Sequence, residues 1–367
     1  MFSLDFDFDD RVERGATLPS ACYTAAEALS RERRSIFGRT WQLVGRLDQV
    51  REPGDYFTAE VAGEPVLVLR DREGELRAFF NVCRHRAGPV ATGAGRAAAL
   101  RCGYHGWTYA LDGSLIGVPD FEGVECFDQE AMRLPAVGVE TWEQFIFVKL
   151  ADSPAGLADF LADIPALSRH CRIAEMAPAA RRDYRIECNW KVYVDNYLEG
   201  YHIPVIHPSL MREIDYGRYR TVTGRFSSLQ DAPIRPRPAS DAGARRYAPS
   251  AGQGAALYFW VFPNLMLNIY PDNLSTNLIL PLGPDRTLTI FEWFFRDAAA
   301  PGVSDLIRDT VEFSDEVQQE DVRICEAVQR GLASVSYDRG RYSAKRENGV
   351  HHFHALWRQF MLAGEAG

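Results

Sequence analysis

Two short segments carry the clearest chemical signature: Cys83-Arg84-His85 and Cys102-Gly103-Tyr104-His105, with sixteen residues between His85 and Cys102. Each pair follows a strand-like run and is trailed by small residues, RAGPVATGAG after the first and Gly106 after the second. The pattern predicts two facing loops, each offering one thiolate and one imidazole. Two Cys and two His can hold a tetrahedral zinc, or a [2Fe–2S] cluster in which both imidazoles ligate one iron. Zinc fingers group like ligands together, whereas each loop here mixes the two types. That favours the cluster, with both sulfurs on one iron and both imidazoles on the other.

A second constellation runs from Asp195 to His207 in the segment DNYLEGYHIPVIH. Asp195, Glu199 and His202 recur at i, i+4 and i+7, a spacing that puts them on one face of a helix. Pro204 disfavours helix at Ile203, so the chain is expected to turn there and swing His207 back toward His202. Two converging imidazoles need one carboxylate to complete the facial triad of oxygen-activating ferrous sites. A later acid-rich segment, QQEDVRICEAVQRGL, offers Asp321, with Glu320 and the nearby Glu316 just before the segment as alternatives.

The elements that must position these groups follow from texture. Residues 20–40 have helical spacing without Gly or Pro until Gly38. From Trp41 to Leu150 short alternating runs such as YFTAEV, EPVLVLRD and FIFVKL predict a compact all-β unit. ADSPAGLADFL reads as a linker and a short helix, and RRDYRIECNWKVYVDNYLEGYH as a strand passing into a helix. Gln230 to Gly254 reads as a surface loop, and Ser304 to Gly331 as a long amphipathic helix. Between them ALYFWVFPNLMLNIY, STNLILPLG and RTLTIFEWFFR predict an antiparallel sheet. Its aromatics Tyr258, Trp260, Tyr270 and Trp293 could box a methylammonium group through cation–π contacts, or simply fill the core. His351, His352 and His354 read as surface or interface histidines rather than a third metal cluster.

With 367 residues, 46% hydrophobic and 25% charged, the chain is a globular protein of two domains or one large one. A net charge of -9 repels phosphate backbones and argues against nucleic-acid partners. The start, MFSLDFDFDD, lacks the basic n-region of a signal peptide, and no apolar run reaches the ~20 residues that span a bilayer. A cytoplasmic protein with no membrane association is expected. Seven cysteines argue against a disulfide framework, and Cys22, Cys126, Cys171, Cys188 and Cys325 read as free thiols.

The loops CRHRAG and CGYHGW closely resemble the C-x-H-R-x-G and C-x-x-H-x-W loops of Rieske non-haem iron oxygenases, Gly103 standing where many members have proline. The resemblance extends over NWKVYVDNYLEGYH to the C-terminal YDRGRYSAKRENGVHHFHALWRQFM. It implies an α+β architecture: an N-terminal helical segment (1–40) packing on the catalytic domain, an all-β Rieske [2Fe–2S] domain (41–150), and a helix-grip catalytic domain (151–367) with a large antiparallel sheet. It also implies that Cys83, His85, Cys102 and His105 hold the cluster, and that His202, His207 and Asp321 hold one Fe(II) that activates O2. Glu199, three residues before the first ligand histidine, takes the place of the acid that links a cluster histidine to an iron histidine. Asp195 is a second candidate for that network. Glutamate rather than aspartate here resembles the branch acting on quaternary ammonium compounds, and so does PNLMLNIYPDNLSTNLILPLG. The expected activity is hydroxylation or N-demethylation of such a compound, with aromatic hydroxylation or O-demethylation as the alternative. Family members work as trimers, and the absence of a flavin or NAD fingerprint in this sequence implies NAD(P)H electrons delivered by a separate flavin/iron–sulfur reductase.

Overall fold

The computed structural model describes residues 2–151, 155–235, 256–270, 273–300 and 302–364. The chain divides into two compact units, Phe37–Leu157 and Met1–Ile36 with Ala158–Gly367. The β unit therefore extends a few residues beyond each end of 41–150.

In the β unit, a seven-stranded sheet runs in the order Gln42–Arg46, Phe145–Lys149, Ala136–Trp142, Leu76–Phe80, Glu64–Arg70, Asp55–Val61 and Ala94–Arg96. All its pairings are antiparallel. The run Val66-Leu67-Val68-Leu69 is buried on both faces, and the two-residue period of a strand sends its side chains to different cores. Val66 and Val68 pack with Phe57, Ile146 and Val148, while Leu67 and Leu69 join the core that contains Cys83, Cys102 and Trp107. A small three-stranded sheet, Leu100–Arg101, Thr108–Tyr109 and Leu115–Gly117, carries the second ligand loop between its first two strands.

The second unit is built on another seven-stranded antiparallel sheet, ordered Ala177–Ile186, Arg286–Phe295, Asn273–Gly283, Leu265–Ile269, Ala256–Val261, Ser227–Ala232 and Arg220–Thr223. Along Arg286–Phe295 alternation buries Thr287, Thr289, Phe291 and Trp293 on one face. That face meets the long helix Val303–Leu332, whose Gln318 amide donates to Thr289 Oγ1 at 3.3 Å. The helix keeps Val311, Gln318, Cys325 and Leu332 buried at a seven-residue interval, while Asp305, Arg308, Glu312, Arg323 and Arg330 are exposed.

The N-terminal helical segment is two helices, Ala21–Thr24 and Ala26–Ser35, because Ala25 is extended (φ −81°, ψ 127°). Glu32 of the second helix is wholly buried and pairs with the equally buried Lys191 at 2.6 Å. The indole N–H groups of Trp190 and Trp357 also donate to Glu32, at 2.8 and 2.7 Å, so one carboxylate joins the N-terminal segment, the start of the helix Trp190–Tyr197 and the C-terminal helix Asn348–Ala363.

Gln230–Ala232 form the end of a strand rather than loop, and residues 236–254 of the expected loop lie outside the described residues. Among the described residues no helix is long and apolar enough to cross a membrane. Among the described residues no cysteine is in a disulfide, and of the five outside the paired loops only Cys126 is exposed.

Candidate metal centres

The first ligand loop lies between strands Leu76–Phe80 and Ala94–Arg96 and is tied by Asn81. Its side-chain oxygen accepts from the N–H groups of Val90 and Ala91, and its amide donates to the Ala91 carbonyl at 2.9 Å. Tight turns close both loops, through Ala87 N–H to Cys83 carbonyl and Gly106 N–H to Cys102 carbonyl, each 3.0 Å. Ala87 and Gly106 both sit at positive φ. The loops bring Cys83, His85, Cys102 and His105 together. The two thiols are buried, His85 is half-buried and His105 is exposed. The imidazole centroids are 4.6 Å apart, and His85 stacks on Trp107 at 4.9 Å.

A [2Fe–2S] cluster fits this donor set on a specific observation. His85 Nδ1 is buried with no hydrogen-bond partner, and a buried polar atom left so is costly unless something else occupies its lone pair. The Tyr109 hydroxyl stands 3.4 Å from Cys83 Sγ and accepts from Arg84 N–H at 2.9 Å, so the deep sulfur already has a polar neighbour. Room is tight there, since a Cβ on Gly88 would meet Cys102 Sγ at 3.1 Å.

In the second unit the site helix is Trp190–Tyr197, started by Asn189, whose side chain accepts from Lys191 N–H. It ends before Glu199, so Asp195, Glu199 and His202 do not share a helical face as their spacing suggested. The Glu199 carboxylate instead accepts from the N–H groups of Tyr201 and His202 and builds the turn that follows. Pro204 does not stop a helix either. It occupies the first turn of a four-residue helix, Ile203–Ile206, where a missing N–H costs nothing. His202 and His207 cap the two ends of that helix, and the single turn between them brings the imidazoles together.

His202 Nε2 and His207 Nε2 are 3.0 Å apart, and Asp321 Oδ1 lies 3.0 Å from His207 Nε2 and 3.6 Å from His202 Nε2. A metal with bonds of about 2.1 Å to cis ligands holds their donor atoms about 3 Å apart, so the three atoms fit one triangular face of an octahedral ion. The ligand atoms of all three residues lie within 4.8 Å of one another. His202 Nδ1 meets Glu199 Oε1 at 2.5 Å, and Asn196 donates to Asp321 Oδ1 at 2.7 Å. His207 Nδ1 meets Glu320 Oε2 at 2.7 Å, and Ser209 donates to Glu316 at 2.7 Å. Glu320 therefore reaches His207 only at Nδ1, and Glu316 is engaged by Ser209, so neither alternative acid joins the three donor atoms. Burial opposes a charge on His207, but Asp321 and then Glu320 outweigh it and hold its pKa above the ordinary histidine value.

A cavity with an accessible volume of about 110 Å³ opens over this triad. A water needs roughly 10–15 Å³ on such a measure, so the space admits a small organic molecule. Tyr193, Tyr197, Tyr219, Tyr258 and Phe291 supply aromatic surface, and Gln230, Asn268, Asn277 and Ser314 supply polar groups. Of the four aromatics singled out from the sequence, only Tyr258 lines the cavity. Trp260 and Trp293 are core residues with at most 1% exposure, and Tyr270 is buried with its hydroxyl donating to that of Tyr258 at 3.1 Å. The missed aromatic lining residues come from the site helix, from the Tyr219 turn and from one alternating strand position, and no local signal marks them as a group.

Asp195 points away from the triad into a buried cluster. Tyr23 donates to it at 2.7 Å and His354 Nε2 lies 2.9 Å away, while Tyr342 meets His354 Nδ1 at 2.7 Å. His354 is thus a core residue, not a surface histidine, since the apolar stripe of its helix faces inward at that position.

Comparison with known proteins bears on both centres. Residues 40–128 match the Rieske [2Fe-2S] domain, and residues 173–363 match the ring hydroxylating alpha subunit catalytic domain. The chain is 37% identical to the chloroplastic choline monooxygenase of Arabidopsis thaliana over 95% of its own length and 84% of that protein. It is 31% identical to the carnitine monooxygenase oxygenase subunit of Escherichia coli K12, over 98% and 97%. The solved structure of a quaternary ammonium Rieske monooxygenase, described in terms of carnitine oxidation and inter-subunit electron transfer, superposes with a TM-score of 0.84 at 28% identity, covering 98% of this chain and 99% of that one.

Proposed function

Since the chain belongs to the Rieske non-haem iron oxygenases, with a [2Fe–2S] domain and a mononuclear iron domain, we propose that it is the terminal monooxygenase for a small quaternary ammonium compound, with choline the first candidate. The observation that carries this reading is the cavity over the His202–His207–Asp321 triad. Tyr193, Tyr197, Tyr219, Tyr258 and Phe291 line it with aromatic surface, and its charged lining groups among the described residues, apart from the histidines, are carboxylates. Such a surface favours a methylated cation, which π faces attract and which needs no hydrogen-bond partner.

Cys83, His85, Cys102 and His105 would hold the cluster, and His202, His207 and Asp321 the iron. When bound, these groups supply electrons and activate dioxygen. The reaction inserts one oxygen atom into a substrate C–H bond and reduces the other to water with two electrons and two protons. Glu199 holds the His202 ring through Nδ1 and fixes which nitrogen faces the iron. Asn196 orients Asp321 in the same way. The cavity walls hold the substrate beside the triad and limit water.

The exposed His105 is suited to meet another subunit, and Glu199 would join it to His202 in a homotrimer. Electrons come from a separate reductase, of flavin and iron–sulfur type using NAD(P)H. The test is a single turnover of the reduced, iron-loaded protein with oxygen and a panel of choline, carnitine, glycine betaine, benzoate and a polycyclic aromatic, read by mass spectrometry. Oxidation of an ammonium compound supports the proposal; product from an aromatic alone overturns it.

A further inference from the structure

The long helix Val303–Leu332 presents three acids to the histidine segment, and each meets a different partner. Glu316 accepts from Ser209, Glu320 meets His207 Nδ1, and Asp321 meets His207 Nε2. Residues 316 and 320 are one turn apart on one stripe, and 321 is the next position around the helix, so a single rigid element reaches both nitrogens of one imidazole. We propose that Glu320 is a positioning residue for the mononuclear centre, fixing His207 as the tautomer that carries its proton on Nδ1 and turns the Nε2 lone pair to the metal. This rests on the reading of His202, His207 and Asp321 as the ligand set.

Three observations carry it. The Nδ1–Oε2 distance of 2.7 Å is that of a charge-assisted hydrogen bond. The His207 side chain is 2% exposed, so water does not compete for Nδ1, and Glu320 is largely covered at 18%. His207 also ends its short helix in an irregular conformation (φ −116°, ψ 73°), which leaves the ring orientation to side-chain contacts. The two ligand histidines are then held alike, His202 by Glu199 from its own turn and His207 by Glu320 from a helix more than a hundred residues later. Glu320 is not among the residues lining the substrate cavity, which separates its role from substrate binding.

The test is a cobalt(II) titration, followed by the visible bands of the bound ion, on full-length cluster-loaded protein stripped of its mononuclear metal. Loss of a carboxylate behind a ligating histidine typically weakens metal binding by about 10–100-fold. Glu320→Ala should show that loss, and Glu320→Gln should recover part of it, because an amide oxygen still accepts from Nδ1. Glu316→Ala removes the same charge from the same helix and should stay within about twofold of the parent, a margin small beside that loss. The KM for choline should not move in Glu320→Gln. Unchanged cobalt affinity in both Glu320 variants overturns the proposal, as does an equal loss in Glu316→Ala. His207→Ala separates the two levels: if it binds cobalt like the parent, the ligand assignment itself has failed.

Discussion

Replacing Glu199 by glutamine tests the proposal that this residue joins the two redox centres. Both carboxylate oxygens are committed: Oε1 takes His202 Nδ1–H at 2.5 Å, and Oε2 takes the N–H groups of His202 at 3.0 Å and of Tyr201. Glutamine has one acceptor oxygen, so either the imidazole or the turn loses its partner. The side chain is only 11% exposed, and water replaces the lost acceptor poorly. Losing a charged hydrogen-bond partner in such a place costs about 1.5–3 kcal/mol. At 1.4 kcal/mol per decade, that is roughly 10–150-fold in metal affinity, in line with the general cost of removing an outer partner of a ligating histidine. Cobalt(II) titration of the full-length variant reads this directly. A second measurement tests the proposed bridging role. With ferrous iron saturating, Glu199→Gln should still reduce its cluster normally but lose substrate-coupled reoxidation of that cluster. Metal affinity within twofold of the parent would refute the positioning argument. Normal steady-state turnover with a full iron complement would show that electrons take another route.

Asp321→Ala should lose the mononuclear iron and keep the cluster's visible spectrum; full iron content in that variant sinks the ligand assignment. Lys191→Met leaves Glu32 as an uncompensated buried charge and should destabilise the catalytic unit by about 3–5 kcal/mol, with part regained in the Glu32→Gln/Lys191→Met double variant; urea midpoints followed by tryptophan fluorescence measure both. Asp71, whose side chain is 1% exposed, is destabilised by burial. Arg77 and the N–H groups of Glu73 and Glu75 outweigh that and hold its carboxyl below the usual range. Because the folded value is the lower one, its contribution is present above the unfolded pKa of about 3.9 and fades as pH falls through the folded value. Asp71→Asn should therefore destabilise the β unit near neutral pH and flatten its acid transition below about pH 4, as followed by the cluster's visible dichroism; an unchanged acid limb counts against it.

The four residues proposed to hold the cluster stand out in the sequence because they lie within 23 positions on two loops, and loops between short strands are set by local turns. Strand alternation and the 30-residue helix were legible for a similar reason, their periods being written in consecutive residues. The path from Asp195 to His207 was misjudged in its details. Periodicity extended the helix to His202, yet the Glu199 carboxylate captures backbone N–H groups and ends it at Tyr197. Pro204 is a boundary signal of ambiguous sign, and only the fold decides whether it ends one helix or starts the next.

By itself, the sequence determined which chemistry was available: two mixed Cys–His loops, a His pair five apart, and an acid-rich helix downstream. Tertiary structure decided which acid serves which nitrogen. Glu316, Glu320 and Asp321 are chemically similar, and only the docking angle of their helix sends Asp321 to Nε2 and Glu320 to Nδ1 of His207. It also decided the cavity wall, choosing Tyr258 and leaving Trp260, Tyr270 and Trp293 in the core. An aromatic on a strand looks the same in sequence whether it faces a core or a cavity. The difference lies in what packs against it from distant parts of the chain.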